Sequence, residues 1–204
     1  PIGWTIGQWV SEVVYAGLTG DFRWLFGLFF GTLYSPLVIT GLHHMSNAID
    51  LQLIADFGGT NLWPMIALSN IAQGSAVLAI IFLHRGNEKE EQVSIPAAIS
   101  CYLGVTEPAM FGINIKYIYP FVAAMIGSGI AGLVATTFNV MANSIGVGGI
   151  PGFLSIQTDS MAMFIVCMAI AIVVPFLLTV LFEKKQLFAP KGEVEDAPVI
   201  QTQK

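Results

Sequence analysis

Long apolar stretches, separated by short charge clusters and glycine-rich breaks, organise this chain. Trp24 to Leu42, Pro64 to Leu83, Ile118 to Asn139 and Met161 to Phe182 contain no Asp, Glu, Lys or Arg. Each offers about the 20 apolar residues that an α-helix needs to cross a bilayer. Val93 to Val105 is also apolar but too short to cross comfortably, and it runs into Thr106-Glu107-Pro108. It fits half of a hairpin that enters and leaves the membrane from one side. Asn143 to Gln157 collects Gly146, Gly148, Gly149, Pro151 and Gly152 without a charge. Helix-breaking yet uncharged, it fits a second re-entrant segment, since irregular backbone at membrane depth must be covered by protein or line a wet cavity. Before Gly20, Trp4, Ile6, Trp9, Val10, Val13 and Val14 alternate with polar positions, which predicts an interfacial amphipathic segment.

The expected fold is therefore all-α and integral to the membrane. An interfacial segment (1–20) leads into a polytopic unit (21–185) of about four full spans and two re-entrant segments. A polar tail (186–204) follows.

Composition strengthens this picture. Hydrophobic residues make up 55% of the 204 positions, charged residues only 10%, and mean hydropathy is +0.74; soluble domains carry about 25% charged residues. The net charge of -5 comes mostly from acids outside the apolar stretches. There is no basic stripe, so nucleic acid is excluded as a partner. Cys101 and Cys167 lie in apolar surroundings without CxxC or zinc spacing, and they read as packing residues. Neither a metal nor a cofactor is expected.

Orientation follows from the basic residues. Arg85 and Lys89 follow the second apolar stretch, and Lys184 and Lys185 follow the fourth; the positive-inside rule puts both ends, and the C-terminus, in the cytoplasm. With four full spans Arg23 also falls inside. Lys116 must then sit on the cytoplasmic side or in a protein-lined cavity. The chain starts at Pro1 without a signal-peptide n-region and reads as part of a longer permease.

Two polar constellations interrupt the apolar pattern. A carboxylate in an apolar segment is costly, so Glu107 is by default a functional-site residue. Pro108 after it lacks a backbone donor, and Gly104 and Gly112 flank it, as at the tip of a broken helix. Thr106, Asn114 and the aromatic Phe111 are close in sequence, and aromatic faces pack on the apolar faces of sugar rings. A plain structural alternative is a carboxylate that caps nearby amides.

The other constellation is Thr40-Gly41-Leu42-His43-His44-Met45-Ser46-Asn47-Ala48-Ile49-Asp50. If helical, it puts His43, Asn47 and Asp50 on one face, a mixture of donors and acceptors that a ring of hydroxyls needs. On spacing alone, a solvated helix end is an equal reading. Asn70 and Gln73, inside the second apolar stretch, either line a pathway or bond between helices, and bonding is the commoner case.

Gly41-Leu42-His43-His44 and Gly104-Val105-Thr106-Glu107-Pro108-Ala109, in that order, resemble signatures of the membrane-embedded EIIC domain of the bacterial phosphoenolpyruvate-dependent sugar phosphotransferase system, in its glucose superfamily. The run from Gly104 to Ala109 is similar to the family's G-[IV]-T-E-P motif. The resemblance covers nearly the whole chain and corresponds to the C-terminal half of that domain. Met45-Ser46-Asn47-Ala48-Ile49-Asp50 and Asn70-Ile71-Ala72-Gln73-Gly74 most resemble the trehalose-type branch, with sucrose-type permeases next.

The resemblance implies a plasma-membrane permease that binds a disaccharide and moves it inward. It also implies phosphorylation by a phosphocysteine on an EIIB domain, itself charged by EIIA, and a homodimer formed through the N-terminal half. It implies that His43 and Glu107 hold sugar hydroxyls, one of them orienting or deprotonating the accepting 6-hydroxyl, with His44 the alternative to His43. With Asn47, Thr106 and Phe111 from the residue pattern, the expected sugar site is His43, His44, Asn47, Thr106, Glu107 and Phe111. Neither cysteine has the basic neighbours of a reactive thiol, so phosphotransfer belongs to the intact complex. The competing readings are an ion-coupled secondary transporter, which also uses broken helices and a midplane carboxylate, and a membrane scaffold without transport.

Overall fold

The computed structural model describes residues 12, 14, 16–18, 20–41 and 43–188. Most of the expected interfacial segment and nearly all of the polar tail lie outside these residues. The described helices are α1 (Arg23–Ile39), α2 (His44–Phe57), α3 (Leu62–Leu83), α4 (Glu88–Tyr102), α5 (107–117, containing the π-helical turn Met110–Asn114), α6 (Tyr119–Thr137) and α7 (Met161–Lys184). Two 3₁₀ turns, Ile150–Ser155 and Thr158–Ser160, precede α7.

Among the described residues, the helices long and apolar enough to cross a membrane are α3, α6 and α7. α3 is the centre of the bundle. It has no solvent-facing polar side: apart from the buried Ser69, Asn70, Gln73 and Ser75 its residues from Leu62 to Ile80 are apolar or glycine, and nearly all are buried, as befits a helix surrounded by protein. Leu68, Ile71, Phe164, Cys167 and Ala131 meet in the main core. Towards its C-terminal end Val77 and Ile80 pack with Ala97, Cys101, Ile113 and Tyr119.

Contacts identify the two ends of the bundle. At one end, His84 after α3 bonds Glu183 of α7 (3.0 Å), and the hydroxyl of Tyr119 at the start of α6 donates to Glu183 (3.1 Å). Arg85, Lys89, Lys184 and Lys185 cluster at this end by chain position. Lys116 belongs here too, because its Nζ lies 5.1 Å from the Tyr117 ring, which meets His84 edge-on. At the other end, the Asn61 side chain donates to the Val140 carbonyl (3.0 Å), and Thr60, Ala142 and Ile156 form isolated antiparallel bridges.

Two helical hairpins fill the space between these ends. α4 leaves the basic end, turns at 103–106, and α5 returns to Tyr117 beside His84. The other hairpin corrects the expectation of four full spans. α1 starts at the opposite end, where Gly27 packs against Gly132 and Thr136, and it runs only to the level at which Ser35 meets Ser69 and Gln73 of α3. Its 17 residues reach roughly 25 Å. The chain then turns, with Thr40, Gly41 and His43 in the turn, and α2 goes back to Thr60 at the end where α1 began. Trp24 to Gly41, the described part of the first apolar stretch, is thus one arm of a hairpin rather than a crossing, and Arg23 lies at the end away from Arg85, Lys89, Lys116, Lys184 and Lys185. Pro36 inside α1 and Gly41 at φ 75° mark where the arm stops.

The glycine-rich stretch after α6 is irregular and reaches down from the Thr60 end. Gly148 and Gly149 pack against the tip of the α4–α5 hairpin at Gly104 and Tyr102.

Candidate functional site

The two hairpin tips face each other. Gly41 ends α1, and His43 is the last residue of the turn before α2. On the other tip Thr106 precedes α5, Glu107 opens it, and Pro108 occupies a first-turn position where a missing N–H costs nothing. His43 Nε2 lies 3.9 Å from Glu107 Oε1; the histidine side chain is 15% exposed and the carboxylate 48%. Tyr34 and His43 form a T-shaped pair (6.5 Å between centroids), and His44 lies against His43 at 4.0 Å.

A cleft of about 230 Å³ opens here, lined by His43, His44 and Asn47 from one hairpin and Thr106 and Glu107 from the other. Tyr34, Trp63, Asn70 and Gly148 also line it, among smaller apolar contributions. Asn70 fixes the α4–α5 tip by donating to the Gly104 carbonyl (3.3 Å). A Cβ on Gly148 would lie 2.3 Å from the Asn70 amide, so the glycine-rich stretch forms this wall only because it lacks a side chain there. A larger groove of about 440 Å³, lined by Gly17, Phe22, Leu25, Phe26 and Phe29 with Asp21 as its single charged residue, is mostly apolar. It lacks the convergent polar groups by which a ligand site is recognised.

Of the residues singled out in the sequence, His43, His44, Asn47, Thr106 and Glu107 come together in the cleft. Phe111 does not. It lies on α5, 58% exposed, outside the cleft lining. Asp50 is likewise turned away: fully buried, it accepts a hydrogen bond from Thr60 (2.6 Å) and ties α2 to the start of α3. Asn114 and Gln73 bond each other behind the tips. Cys101 and Cys167 are free and buried.

Sequence reasoning misses Tyr34, Trp63 and Gly148. Tyr34 and Trp63 belong to apolar stretches where an aromatic residue is ordinary, so no local pattern distinguishes them. Gly148 is visible there only as one glycine of a rich segment.

Chemically, the cleft offers a carboxyl group, two imidazoles, two amides and two hydroxyls beside aromatic surfaces, a set suited to a polar, hydroxyl-bearing solute. A helical bundle with membrane-length helices, in which two hairpin tips meet over such groups, has the architecture of a membrane transporter domain.

Comparison with known proteins gives this class its family. The family model described as "Phosphotransferase system, EIIC" matches residues 1–128. The chain is 56% identical over 179 residues to the "PTS system trehalose-specific EIIBC component" of Escherichia coli, covering 88% of this chain and 38% of that protein. Identity to the protein of the same description from Bacillus subtilis is 49% over 177 residues (86% and 37%). To the "PTS system sucrose-specific EIIBC component" of Pasteurella multocida it is 44% over 190 residues (88% and 39%). The chain belongs to the EIIC family of the phosphotransferase system. It spans less than two-fifths of the length of these relatives, and no solved structure matches it.

Proposed function

We propose that this chain supplies the sugar-binding hairpins of a phosphotransferase-system permease, with trehalose as the sugar. The observation that carries the reading is the meeting of His43 and Glu107 at 3.9 Å on two separate hairpin tips, inside a cleft with both donors and acceptors. Glu107 accepts sugar hydroxyls, His43 and Asn47 complete the hydrogen-bonding ring, and Thr106 shapes the tip. At about 230 Å³ the cleft is smaller than ordinary ligand pockets of roughly 300–1,000 Å³. It takes one glucosyl ring and leaves the second ring towards an opening.

Phosphorylation of the accepting 6-hydroxyl is the work of an EIIB phosphocysteine, charged in turn by EIIA. The printed names of the relatives, EIIBC and in one case EIIBCA, support these partners. The basic end of the bundle faces the cytoplasm, and the intact protein is a homodimer in the plasma membrane. The ion-coupled alternative loses support, because no specific feature of the cleft calls for it and every relative cited above is a phosphotransferase-system component.

Uptake of labelled trehalose by cells with the intact protein tests the reading. Dependence on phosphoenolpyruvate and appearance of trehalose 6-phosphate are expected; uptake of free sugar driven by an ion gradient would replace the phosphotransfer reading with the alternative. In competition, sucrose displacing label more tightly than trehalose would overturn the sugar while leaving the family intact. Cysteines placed at Asn87 and Gln186 should react with an impermeant thiol reagent from the cytoplasmic side alone, in a background lacking Cys101 and Cys167.

A further inference from the structure

A buried chain of amides and hydroxyls runs behind the two tips, and Gln73 is its centre. The Gln73 side chain is 1% exposed and lies on α3, the helix that both hairpins pack against. Its Nε2 donates to Ser35 Oγ of α1 (2.5 Å), and Ser35 in turn contacts Ser69 Oγ (3.3 Å). Its Oε1 accepts from the Asn114 amide of α5, whose Nδ2 also lies 3.4 Å from the Gln73 carbonyl. Asn114 is fully buried and its Oδ1 has no partner. Gln73 is therefore the hydrogen-bonding anchor of that side chain.

The places where these bonds land matter. Ser35 immediately precedes Pro36, the proline inside α1, and Asn114 closes the π-helical turn of α5. Prolines and π turns are where helices bend, because the regular backbone ladder is interrupted there. One arm of each hairpin, α1 and α5, thus carries such a point beside a bond to Gln73; α4 has its own at Pro96, away from the glutamine, and α2 has none. A buried polar group that loses its partner is costly, so the arms gain by keeping to the positions in which Gln73 reaches them.

We propose that Gln73 is the positioning residue that sets the two hairpin tips in register, and so holds His43 within reach of Glu107. It touches no part of the cleft and acts through Ser35 and Asn114. The inference rests on the sugar-site reading above, but its first test needs no sugar.

The experiment uses the full-length protein in lipid nanodiscs, with Cys101 and Cys167 replaced and spin labels at Met45 and Leu103. Both positions are exposed, beside the two tips, and outside the cleft lining. Gln73→Met keeps length and removes the hydrogen bonds. The expected result is a broader or shifted distance distribution between the labels, together with a roughly tenfold or greater loss of trehalose affinity. Combining Gln73→Met with Ser35→Ala should add little to either defect, since both cut the same connection. If Gln73→Met fails to insert, Ser35→Ala carries the same measurement with a smaller change.

Unchanged distances in a folded variant overturn the proposal, whatever the affinity does. Unchanged affinity with altered distances overturns the claim that tip register governs the site. Failure of the parent protein to bind trehalose would count against the sugar reading instead, and the distance measurement would still decide the role of Gln73.

Discussion

The two hairpins carry complementary halves of one site, yet they are held in different ways. The α4–α5 hairpin is wedged into the bundle. Ala97, Ala98, Cys101, Ala109 and Ile113 are buried, its tip is bonded by Asn70, and its base is clamped through Glu90 and His84. In the α1–α2 hairpin only one arm is firmly docked. α1 packs closely on α6 through Gly27 and Gly31, whereas on α2 only Ser46, Asp50 and Leu53 are buried. The carboxylate is thus presented by a fixed tip and the histidine by a tip with a looser outer arm. Local stability follows buried contacts, so under the proposed sugar-site reading the histidine side is the one that would adjust to a bound sugar.

The largest expected effect falls on the looser tip. His43→Ala should abolish uptake, while His44→Ala should retain a measurable part of it, because neighbouring helical residues point about 100° apart and only one of them pairs with Glu107. Uptake measured at matched expression levels decides this. The reverse ranking would mean that the structure pairs the wrong histidine with the glutamate.

Another pair of substitutions contrasts the tips directly. Gly41 and Gly104 both have positive φ, 75° and 98°, a conformation that costs an L-residue roughly 1–2 kcal/mol. A Cβ at Gly41 meets nothing within 4 Å, but at Gly104 it meets the Gly148 backbone at 2.8 Å. Gly41→Ala therefore carries backbone strain alone. Gly104→Ala adds overpacking of about 1–3 kcal/mol and pushes the fixed tip off its seat. In sugar titrations Gly104→Ala should lose about ten- to a hundredfold in affinity, several times more than Gly41→Ala. Equal losses would erase the distinction between the hairpins.

The smallest effect concerns the clamp at the base of the α4–α5 hairpin. Hydrogen bonds donated by the His84 ring to the Glu183 and Glu90 carboxylates raise its pKa from 6.5 to about 9, against the opposing effect of burial. Burial raises the Glu90 pKa, but bonds to His84 and Tyr117 outweigh it and hold the carboxyl below its usual range. A histidine with a raised folded-state pKa gives its full stabilisation below pH 6.5 and loses it as pH climbs through about 9. The Glu90 contribution is present at neutral pH and disappears only in acid. The melting temperature should therefore fall by a few degrees between pH 6.5 and 9, and His84→Gln should flatten that slope. A slope unaffected by His84→Gln would remove the clamp from the account.

Much of this site is legible in the sequence because its chemistry is out of place there. Glu107 stands out as a carboxylate in an apolar run, and the His43–His44 pair stands out for the same reason. The course of α1 is not legible. From Trp24 to Leu42 nothing is charged, and hydropathy counts residues without knowing whether the chain turns back at Gly41. The basic residues mislead for the same reason, since Arg23 fits a four-span count that the hairpin removes. Phe111 is favoured by its aromatic ring near Glu107, but position along a helix does not fix direction when a π turn intervenes. Gln73 reads as either lining a path or bonding between helices, and its partners Ser35 and Asn114 can be recognised only once the hairpins are in place.

The central claim is that the two tips form one sugar site, with Glu107 as its charged acceptor. Binding of trehalose to the purified, lipid-embedded full-length protein, compared between the parent and Glu107→Gln, tests it most directly. The glutamine keeps the size and removes the charge. Hydrogen bonds to charged groups contribute about 1.5–3 kcal/mol, so the account predicts affinity lower by about one to two orders of magnitude. Parental affinity in a Glu107→Gln protein that folds and inserts normally would contradict it.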